Sequence, residues 1–310
     1  MKKYIYGIDV GGTTVKIGLF SKDKTLLEKW EIPTDTSNNG MNIIDDIFAA
    51  IITKTPELNE VIGYGFGIPG PVVENNVPSC VNLGWENVNL KNLLKERLDN
   101  ENIFVGNDAN VAALGEAAFG AGHGLMNVVM MTLGTGVGSG FVVNGEVVEG
   151  SNGAAGEIGH LTVPSSNNIR CNCGKMDCLE TVSSATGFRR VYEIMKEDYE
   201  GTSTLLDFET PSAKAIFDHA KAGDDLANKV VDYSTGFIGY ACHIISITTN
   251  PSVIVIGGGV SKAGDFLIEK INDAFNSYLF EPCANTKIVI ANLGNDAGIY
   301  GGLQLVINHG

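Results

Sequence analysis

The chain has 310 residues, with 21 Lys and Arg against 36 Asp and Glu, which gives a formal net charge of −15. Its 44% hydrophobic and 18% charged residues support a buried core and exclude a disordered chain. A chain this acidic is a poor candidate for non-specific binding to nucleic acid or to an anionic membrane. The 39 glycines have no period of three and are accompanied by only nine prolines, which excludes collagen and low-complexity classes. The glycine excess therefore needs a local explanation.

The first part of the chain alternates strand and helix patterns. In chain order we predict strands at 4–10, 15–20 and 26–32, a helix over 43–52, a strand at 61–68, a helix at 90–98, a strand at 103–105 and a helix that begins at Asp108. Strands interleaved with helices indicate an α/β layered domain.

At Asn127 the pattern starts again. We predict strands at 128–133, 140–143, 253–256 and 287–290, and helices at 183–196, 212–222, 226–248 and 266–278. The segments 5–20 and 128–143 share the order strand, Gly/Thr-rich turn, strand, so we interpret the chain as two related α/β halves. We expect an N-terminal domain at 1–118, a C-terminal domain at 119–295, and a terminal helix within 296–310 that packs back on the first domain.

Two stretches without a charged residue, 117–145 and 233–261, are long enough to raise the possibility of membrane spans. The first contains eight glycines and the second is interrupted by Asn250 and Pro251, and both features oppose a long helix. Asp9 interrupts the apolar N-terminal run too early for a signal peptide. We therefore expect a soluble cytoplasmic protein with neither a membrane nor a nucleic-acid partner.

Three glycine-rich turns are candidates for binding a nucleotide. The turns at 9–14 and 133–140 each follow a strand, and such turns present backbone N–H groups to phosphate oxygens, while the carboxylate of Asp9 can hold Mg²⁺ directly or through water. The third turn, at 257–259, permits close approach of a flat ligand such as adenine. Plain hairpin and strand-to-helix turns are the alternatives. The candidate residues are Asp9, Gly11, Gly12, Thr13, Thr14, Gly134, Thr135, Gly136, Gly138, Gly257, Gly258 and Gly259.

Two further features are candidates for catalysis and for metal binding. Asp108 stands where a short strand gives way to a helix, so its carboxylate could accept the proton of an attacking hydroxyl or could cap the helix. His160 is followed by three crowded cysteines, and one imidazole with three thiolates is the donor set of a closed tetrahedral zinc site. Free buried thiols and redox sensing are the alternatives. The candidate metal ligands are His160, Cys171, Cys173 and Cys178.

Taken together and in this order, these motifs resemble the ROK family (repressors, open reading frames and sugar kinases) of the sugar kinase, Hsp70 and actin superfamily. The resemblance covers nearly the whole chain, at 9–14, 67–71, 82–85, 107–110, 133–140, 156–160, the cysteine cluster and 257–260. It implies a duplicated ribonuclease-H-like α/β fold with two domains around a cleft, ATP with Mg²⁺ as co-substrate, and structural Zn²⁺. One departure is Asp177, where the family usually has glycine. Because aspartate tolerates the left-handed conformation better than most residues, we expect the turn to form.

The resemblance also implies roles for single residues. Asp108 matches the family's catalytic base, and the cysteines with His160 match its zinc ligands. The residues implied to bind sugar are Gly67, Asn82, Asn107, Asp108, Glu157, His160 and Glu180. The implied reaction is ATP-dependent phosphorylation of the 6-hydroxyl of a hexose, with glucose as the first expectation because residues 81–88 look most like those of ROK glucokinases.

Several alternatives share these motifs. Within the family, N-acetylmannosamine, fructose and allose kinases have the same base, phosphate turns and zinc loop. A sugar-sensing ROK repressor is disfavoured because only eight residues precede Asp9, where a helix-turn-helix would be needed, and because the chain is acidic. An actin- or Hsp70-like ATPase is disfavoured by the cysteine cluster and by residues 156–160. We expect a homodimer or a higher homo-oligomer.

Overall fold

The structure is a computed structural model that describes residues 2–55 and 57–310; Met1, which begins the expected first domain, and Pro56 lie outside the described residues. The strands are β1 (Tyr4–Val10), β2 (Thr14–Ser21), β3 (Leu26–Pro33), β4 (Val61–Ile68), β5 (Asn76–Cys80), β6 (Trp85–Asn89), β7 (Ile103–Asn107), β8 (Val128–Leu133), β9 (Val137–Val143), β10 (Glu146–Val147), β11 (Val253–Gly257) and β12 (Lys287–Ile290). The helices are α1 (Asn42–Lys54), α2 (Leu90–Leu98), α3 (Asp108–Phe119), α4 (Leu179–Ser183), α5 (Ala185–Glu197), α6 (Ala213–Lys221), α7 (Asp225–Thr249), α8 (Asp265–Ser277) and α9 (Ala297–His309).

The chain forms two compact units. The first comprises residues 1–126, 140–156 and 293–310, and the second comprises residues 127–139 and 157–292. The C-terminal helix α9 thus belongs to the same unit as the N-terminal strands.

The first unit is built on a five-stranded sheet with the order β3-β2-β1-β4-β7. The strands β1, β2 and β3 pair antiparallel, and β1, β4 and β7 pair parallel. The core on one side of this sheet includes the buried face of α1, formed by Ile43, Ile44, Ile47 and Ile51, together with Leu90, Leu94 and Leu98 of α2. The apolar spacing that predicted one helix face over 43–52 is therefore the face that packs on the sheet.

The helix α9 packs very closely against the first sheet, and glycine makes this possible. A Cβ atom on Gly65 of β4 would overlap the backbone of Gly302 in α9, and a Cβ on Gly7 of β1 would overlap the carbonyl of Ile299. Beside these contacts, Ile299, Leu303 and other apolar side chains of α9 are buried. Part of the glycine excess is thus explained by helix–sheet packing as well as by turns.

A second five-stranded sheet has the order β10-β9-β8-β11-β12 and repeats the strand order of the first. Its strands β9, β8, β11 and β12 correspond to β2, β1, β4 and β7. The strands β8, β11 and β12 run parallel, and the apolar residues of β11 are buried throughout. This duplication confirms the predicted ribonuclease-H-like α/β fold. The predicted hairpin at Asn144 and Gly145 is also present within the first unit, since both residues have positive φ and β10 pairs with the end of β9.

Four elements differ from the sequence prediction. The antiparallel pair β5 and β6 and the short helix α4 were not predicted, because each has only five residues and little apolar periodicity. The helix predicted at 183–196 begins instead at Ala185, since Ser184 caps it by accepting a hydrogen bond from the N–H of Gly187. Among the helices of the described residues, none is both long enough and apolar enough to cross a membrane.

Candidate active site

The first glycine turn is fixed from two sides within the first unit. The N–H of Gly11 donates to the carbonyl of Thr14 at 3.0 Å, which closes the turn between β1 and β2. From the end of β3, the Thr34 hydroxyl donates to the carbonyl of Gly11 at 2.7 Å, and the Thr34 N–H donates to the carbonyl of Thr13. Gly12 and Thr13 are exposed. The turn therefore presents its tip to solvent in a fixed conformation, as a phosphate-binding turn requires.

Asp9 lies at the base of this turn, between two strands. Its register partners are Lys16 on β2 and Gly67 on β4. The Lys16 ammonium lies 3.6 Å from Asp9 Oδ2 and also donates to the carbonyl of Asn295 at 3.2 Å. Burial raises the pKa of Asp9, and the Lys16 charge offsets part of that rise. A partly buried carboxylate with one cationic neighbour could hold a metal cation directly or through water.

Asn107, rather than Asp108, caps helix α3. The Asn107 side-chain oxygen accepts hydrogen bonds from the N–H groups of Ala109 at 3.0 Å and Asn110 at 3.2 Å, and its amide nitrogen donates to the carbonyl of Gly70. Asp108 is the first helical residue, and its Oδ1 accepts from the N–H of Ala109 at 2.8 Å. The capping role that competed with catalysis in the sequence analysis is therefore carried by the neighbouring residue.

The remaining predicted residues of the first unit lie close to these groups. A Cβ atom on Gly67 would lie 3.6 Å from the Cα of Asp108, so the end of β4 contacts the start of α3. Asn82 is exposed in the connection between β5 and β6, and its Cβ would be 3.8 Å from a Cβ on Gly12. The indole N–H of the buried Trp85 donates to the carbonyl of Gly40 at 3.0 Å and anchors this connection. The structure thus brings Asn82 next to the first turn.

The second glycine turn, between β8 and β9, is held by α4 and α5 of the second unit. The Gly134 N–H donates to the carbonyl of Gly136 at 2.9 Å, and the Ala185 N–H donates to the carbonyl of Gly134 at 2.8 Å. Glu180 Oε2 accepts from the N–H of Val137 at 3.0 Å. A strand follows the turn, as predicted, because Val137 is the first residue of β9.

Glu157 and His160 flank a short 3-10 turn beside the start of β9. Glu157 is exposed, the Ile158 N–H donates to the hydroxyl of Ser139 at 3.2 Å, and Gly159 packs so closely on Val137 that no side chain would fit there. The His160 N–H donates to the carbonyl of Glu157 at 3.0 Å. These bonds place the carboxylate of Glu157 and the ring of His160 on one rigid turn.

The four predicted metal ligands form one cluster. One ligand atom from each of His160, Cys171, Cys173 and Cys178 lies within 4.8 Å of all the others. The Cys171 Sγ–His160 Nδ1 distance is 3.7 Å and the Cys173 Sγ–Cys178 Sγ distance is 3.5 Å, and tetrahedral Zn–S bonds of about 2.3 Å place ligand atoms roughly 3.8 Å apart. The donor set and its spacing therefore fit zinc.

The thiols of Cys173 and Cys178 in this cluster have different environments. The backbone hydrogen bond from Lys175, reinforced by the neighbouring thiols, lowers the pKa of Cys173. Burial, with a contribution from Cys173, raises the pKa of Cys178 to about 12. A zinc ion would displace both protons, since thiolates are the ligand form.

Asp177 adopts the conformation expected for the position where the family usually has glycine. Its φ of 53° lies in the left-handed region. Its Oδ1 accepts hydrogen bonds from the Ser165 hydroxyl at 2.7 Å and from the Ile169 N–H at 3.0 Å. The aspartate therefore compensates for a strained backbone with two hydrogen bonds that glycine cannot make, and the prediction that the turn forms is confirmed.

A pocket of about 330 Å³ opens beside the third glycine turn. Gly258 has a φ of 83°, and Gly259 has no atom near its missing side chain, so the turn leaves open space next to the pocket. Most of the walls are apolar or small, with lysines among them; the lining residues include Ala185, Ala213, Phe217, Gly259, Val260, Lys214, Lys221 and Lys262. Its volume lies within the range of pockets that bind small molecules.

The model of the ROK family matches residues 5–309. The chain belongs to the ROK family. It is 41% identical to a glucokinase from Halalkalibacterium halodurans over 98% of this chain and 95% of that protein, and 35% identical to a glucokinase from Thermotoga maritima over 98% of each. Among solved structures, a ROK family glucokinase from Streptomyces griseus in complex with glucose and AMPPNP is similar with a TM-score of 0.76, at 28% identity over 98% of this chain and 99% of that chain.

Sequence reasoning missed several residues that shape this site. Lys16, Val137 and Ala185 contact predicted site residues through register or backbone hydrogen bonds. The alternation within β2 places Lys16 and Thr14 on one face of the strand, and this was a usable signal for Lys16. No local signal identifies Val137 or Ala185, because their role depends on which segments pack together.

Proposed function

We propose that this ROK protein is a glucokinase that transfers the γ-phosphoryl group of ATP to the 6-hydroxyl of glucose. The observation that carries the proposal is the Asn107–Asp108 pair, in which one residue caps α3 and the other presents a carboxylate at the helix start. The glucokinases to which the chain is similar over nearly its full length support glucose as the substrate.

Asp108 is the general base in this proposal. As the sugar oxygen attacks the γ-phosphorus, its proton passes to the Asp108 carboxylate, the bond from the γ-phosphorus to the bridging oxygen breaks, and ADP leaves. Phosphoryl transfer depends mainly on positioning and on neutralising charge, so one base with a metal suffices. When bound, Mg²⁺ supplies charge neutralisation on the phosphates, and Asp9 would hold it directly or through water.

The nucleotide is assigned to the three glycine turns. The backbone N–H groups of 11–14 and 134–138 would bind phosphate oxygens, and the pocket beside Gly259 would take the purine. Phe217 and Val260 offer apolar surface to a flat base. Lys221 and Lys262 add positive charge to the pocket, whereas the charge of Lys214 is paired with Asp218 at 2.5 Å. Local N–H groups and lysines thus offset the net charge of −15 where an anion must bind.

The sugar is assigned to the residues that match the family's sugar site. Glu157 and Glu180 would accept hydrogen bonds from its hydroxyls, His160 would accept or donate one, and Gly67, Asn82 and Asn107 complete the proposed set. Zinc at His160 and the three cysteines would hold this loop rigid when bound. Because the ligands must be reduced thiols, we propose a cytoplasmic location.

We further propose that the protein is a homodimer or a larger homo-oligomer. Exposed apolar side chains on α7 and after α8 support this, with Ile247, Tyr278 and Phe280 each about half exposed. Light scattering of the purified chain tests the oligomeric state, and a monomer at micromolar concentration would contradict the proposal.

The deciding experiment is a coupled ADP-release assay across sugars. Glucose, N-acetylmannosamine, N-acetylglucosamine, fructose and allose are compared at equal concentration, and kcat/KM is expected to be highest for glucose by at least about tenfold. A higher value for another sugar would reassign the substrate within the kinases. The absence of transfer to every sugar, with retained sugar binding, would favour a sugar sensor.

A further inference from the structure

The Glu180 carboxylate occupies space that belongs to the second glycine turn. Its Oε2 accepts a hydrogen bond from the N–H of Val137 at 3.0 Å. A Cβ atom on Gly136 would overlap this same oxygen. Gly136 does not have a positive φ, so the turn conformation does not require glycine here. A side chain at position 136 would instead displace the carboxylate of Glu180, which is the far end of a flexible side chain.

The other oxygen of Glu180 faces a different site. Oε1 lies 3.9 Å from Cys171 Sγ, on the side of the cysteine cluster. Glu180 follows Cys178 by two residues, at the start of α4. Its two oxygens therefore point to two functional elements of the same unit, the turn at 134–138 and the cysteine loop.

The opposite end of the turn is held by α5, which follows the helix α4 that carries Glu180. The N–H of Ala185, at the start of α5, donates to the carbonyl of Gly134 at 2.8 Å. Only Ser184 separates α4 from α5. A displacement of Glu180 would thus be transmitted to the turn through the Val137 hydrogen bond, while Ala185 keeps the first residue of the turn in place.

We propose that Glu180 is a positioning residue that couples the sugar site to the phosphate turn, so that glucose and ATP bind synergistically. A sugar hydroxyl bound to Glu180 fixes the carboxylate, the carboxylate fixes the Val137 amide, and the turn is then held ready for phosphate. The coupling is reciprocal, because each ligand must change the affinity of the other by the same factor. This inference rests on the proposed function, which assigns Glu180 to the sugar and the turn to ATP.

Two alanine substitutions in the same turn form a matched pair. In Gly136→Ala the new methyl group overlaps Glu180, whereas a Cβ on Gly134 has only the carbonyl oxygen of Gly136 near it, at 4.0 Å. Neither glycine has a positive φ, so both substitutions are compatible with the backbone. Only the first should displace the Glu180 carboxylate.

The first measurement is glucose binding by calorimetry in the absence of nucleotide. Gly136→Ala is expected to weaken glucose binding by about tenfold, the usual cost of a lost hydrogen bond to a charged group, although the substitution lies in the phosphate turn. Gly134→Ala should stay within about twofold of the parent. In a Glu180→Ala background, adding Gly136→Ala should cause no further loss. Equal effects of the two alanines, or an unchanged effect of Gly136→Ala without Glu180, would overturn the proposal.

The second measurement is AMPPNP binding with and without saturating glucose. The parent protein is expected to bind AMPPNP at least about fivefold more tightly with glucose, in the range of ordinary coupling between sites. Glu180→Ala should reduce that ratio to about one at a glucose concentration that saturates the variant. A ratio of one in the parent, or an unchanged ratio in the variant, would contradict the coupling.

A third measurement separates this inference from the proposed function. If the parent protein binds no glucose, the sugar assignment is wrong, and the contact itself is tested by thermal unfolding. Gly136→Ala should then lower the unfolding midpoint, and Glu180→Ala should restore it by removing the overlap. Additive effects of the two changes would show that Glu180 and Gly136 do not interact.

Discussion

Lys16 stands directly across the sheet from Asp9, and its ammonium lies 3.6 Å from the Asp9 carboxylate. The pair links the strand that enters the first glycine turn to the strand that leaves it. Burial raises the pKa of Asp9, and Lys16 is the cation that limits the rise. The first glycine turn therefore has the Asp9–Lys16 pair at its base.

Replacing Lys16 by methionine should make stability more dependent on pH. The pKa of Asp9 is above its usual value in the folded protein, so ionising it costs stability as pH rises through that pKa, and losing Lys16 increases the cost. The unfolding midpoint of Lys16→Met should lie nearest that of the parent at the acid end of the Asp9 titration, and it should fall progressively below the parent value as pH rises through the raised pKa of Asp9.

Lys29→Met is the matched control for this experiment. Lys29 pairs with Asp296 at 2.6 Å, but the Lys29 side chain is about half exposed and Asp296 is partly exposed, so the pair contributes little. Its loss should leave the difference from the parent small at every pH. If the unfolding midpoint of Lys16→Met differed from that of the parent by the same amount at every pH, and by as little as that of Lys29→Met, Lys16 would not act on Asp9.

Asp108→Ala should abolish phosphoryl transfer without unfolding the protein. Loss of a general base lowers kcat by about 10²–10⁴-fold, whereas α3 keeps its cap from Asn107. Glucose affinity, measured by calorimetry, should be largely retained. Turnover within tenfold of the parent would show that the base is another group.

Asn107→Ala tests whether Asn107, and not Asp108, caps helix α3. It removes the two capping hydrogen bonds and the contact with Gly70. We expect a loss of about 1–2 kcal/mol in the free energy of unfolding by urea titration, a loss that Asp108→Ala should not produce. If Asp108→Ala destabilised the protein more than Asn107→Ala, the capping assignment would be wrong.

Removing a cysteine from the cluster should remove zinc. The parent protein is expected to contain about one zinc ion per chain by plasma mass spectrometry, and Cys178→Ser should lose it together with much of its glucose affinity. Cys283→Ser is the control, because Cys283 is buried elsewhere, donates to the carbonyl of Ser246 and can be replaced by a hydroxyl donor. A stable, active protein without zinc would refute the metal's role.

Asp177 offers a test of how this chain replaces a glycine. Asp177→Asn retains the acceptor and tolerates positive φ, so we expect its unfolding midpoint near that of the parent. Asp177→Gly loses two hydrogen bonds, about 1–3 kcal/mol, and Asp177→Ala loses the same bonds and adds left-handed strain of roughly 1–2 kcal/mol. The unfolding midpoints should therefore decrease in the order asparagine, glycine, alanine. An alanine variant as stable as the glycine variant would contradict this expectation.

The sequence by itself determined the features that depend on neighbouring residues. The alternation and helical spacing indicated the two α/β halves. The residues at 9–14, 107–108 and 160–178 indicated the turns, the strand-to-helix junction and the candidate metal ligands. These patterns are readable because backbone torsion and side-chain direction repeat every two or 3.6 residues.

Only the tertiary structure decided which distant groups share these sites. Lys16 reaches Asp9 through strand register, Asn107 rather than Asp108 is seen to cap α3, and Glu180 stands 43 residues after the Val137 amide that it accepts from. Packing also explains part of the glycine excess, since a Cβ on Gly65 would overlap the backbone of Gly302 in α9 and a Cβ on Gly136 would overlap the Glu180 carboxylate. Such contacts follow from how the elements pack, and no local pattern along the chain encodes them.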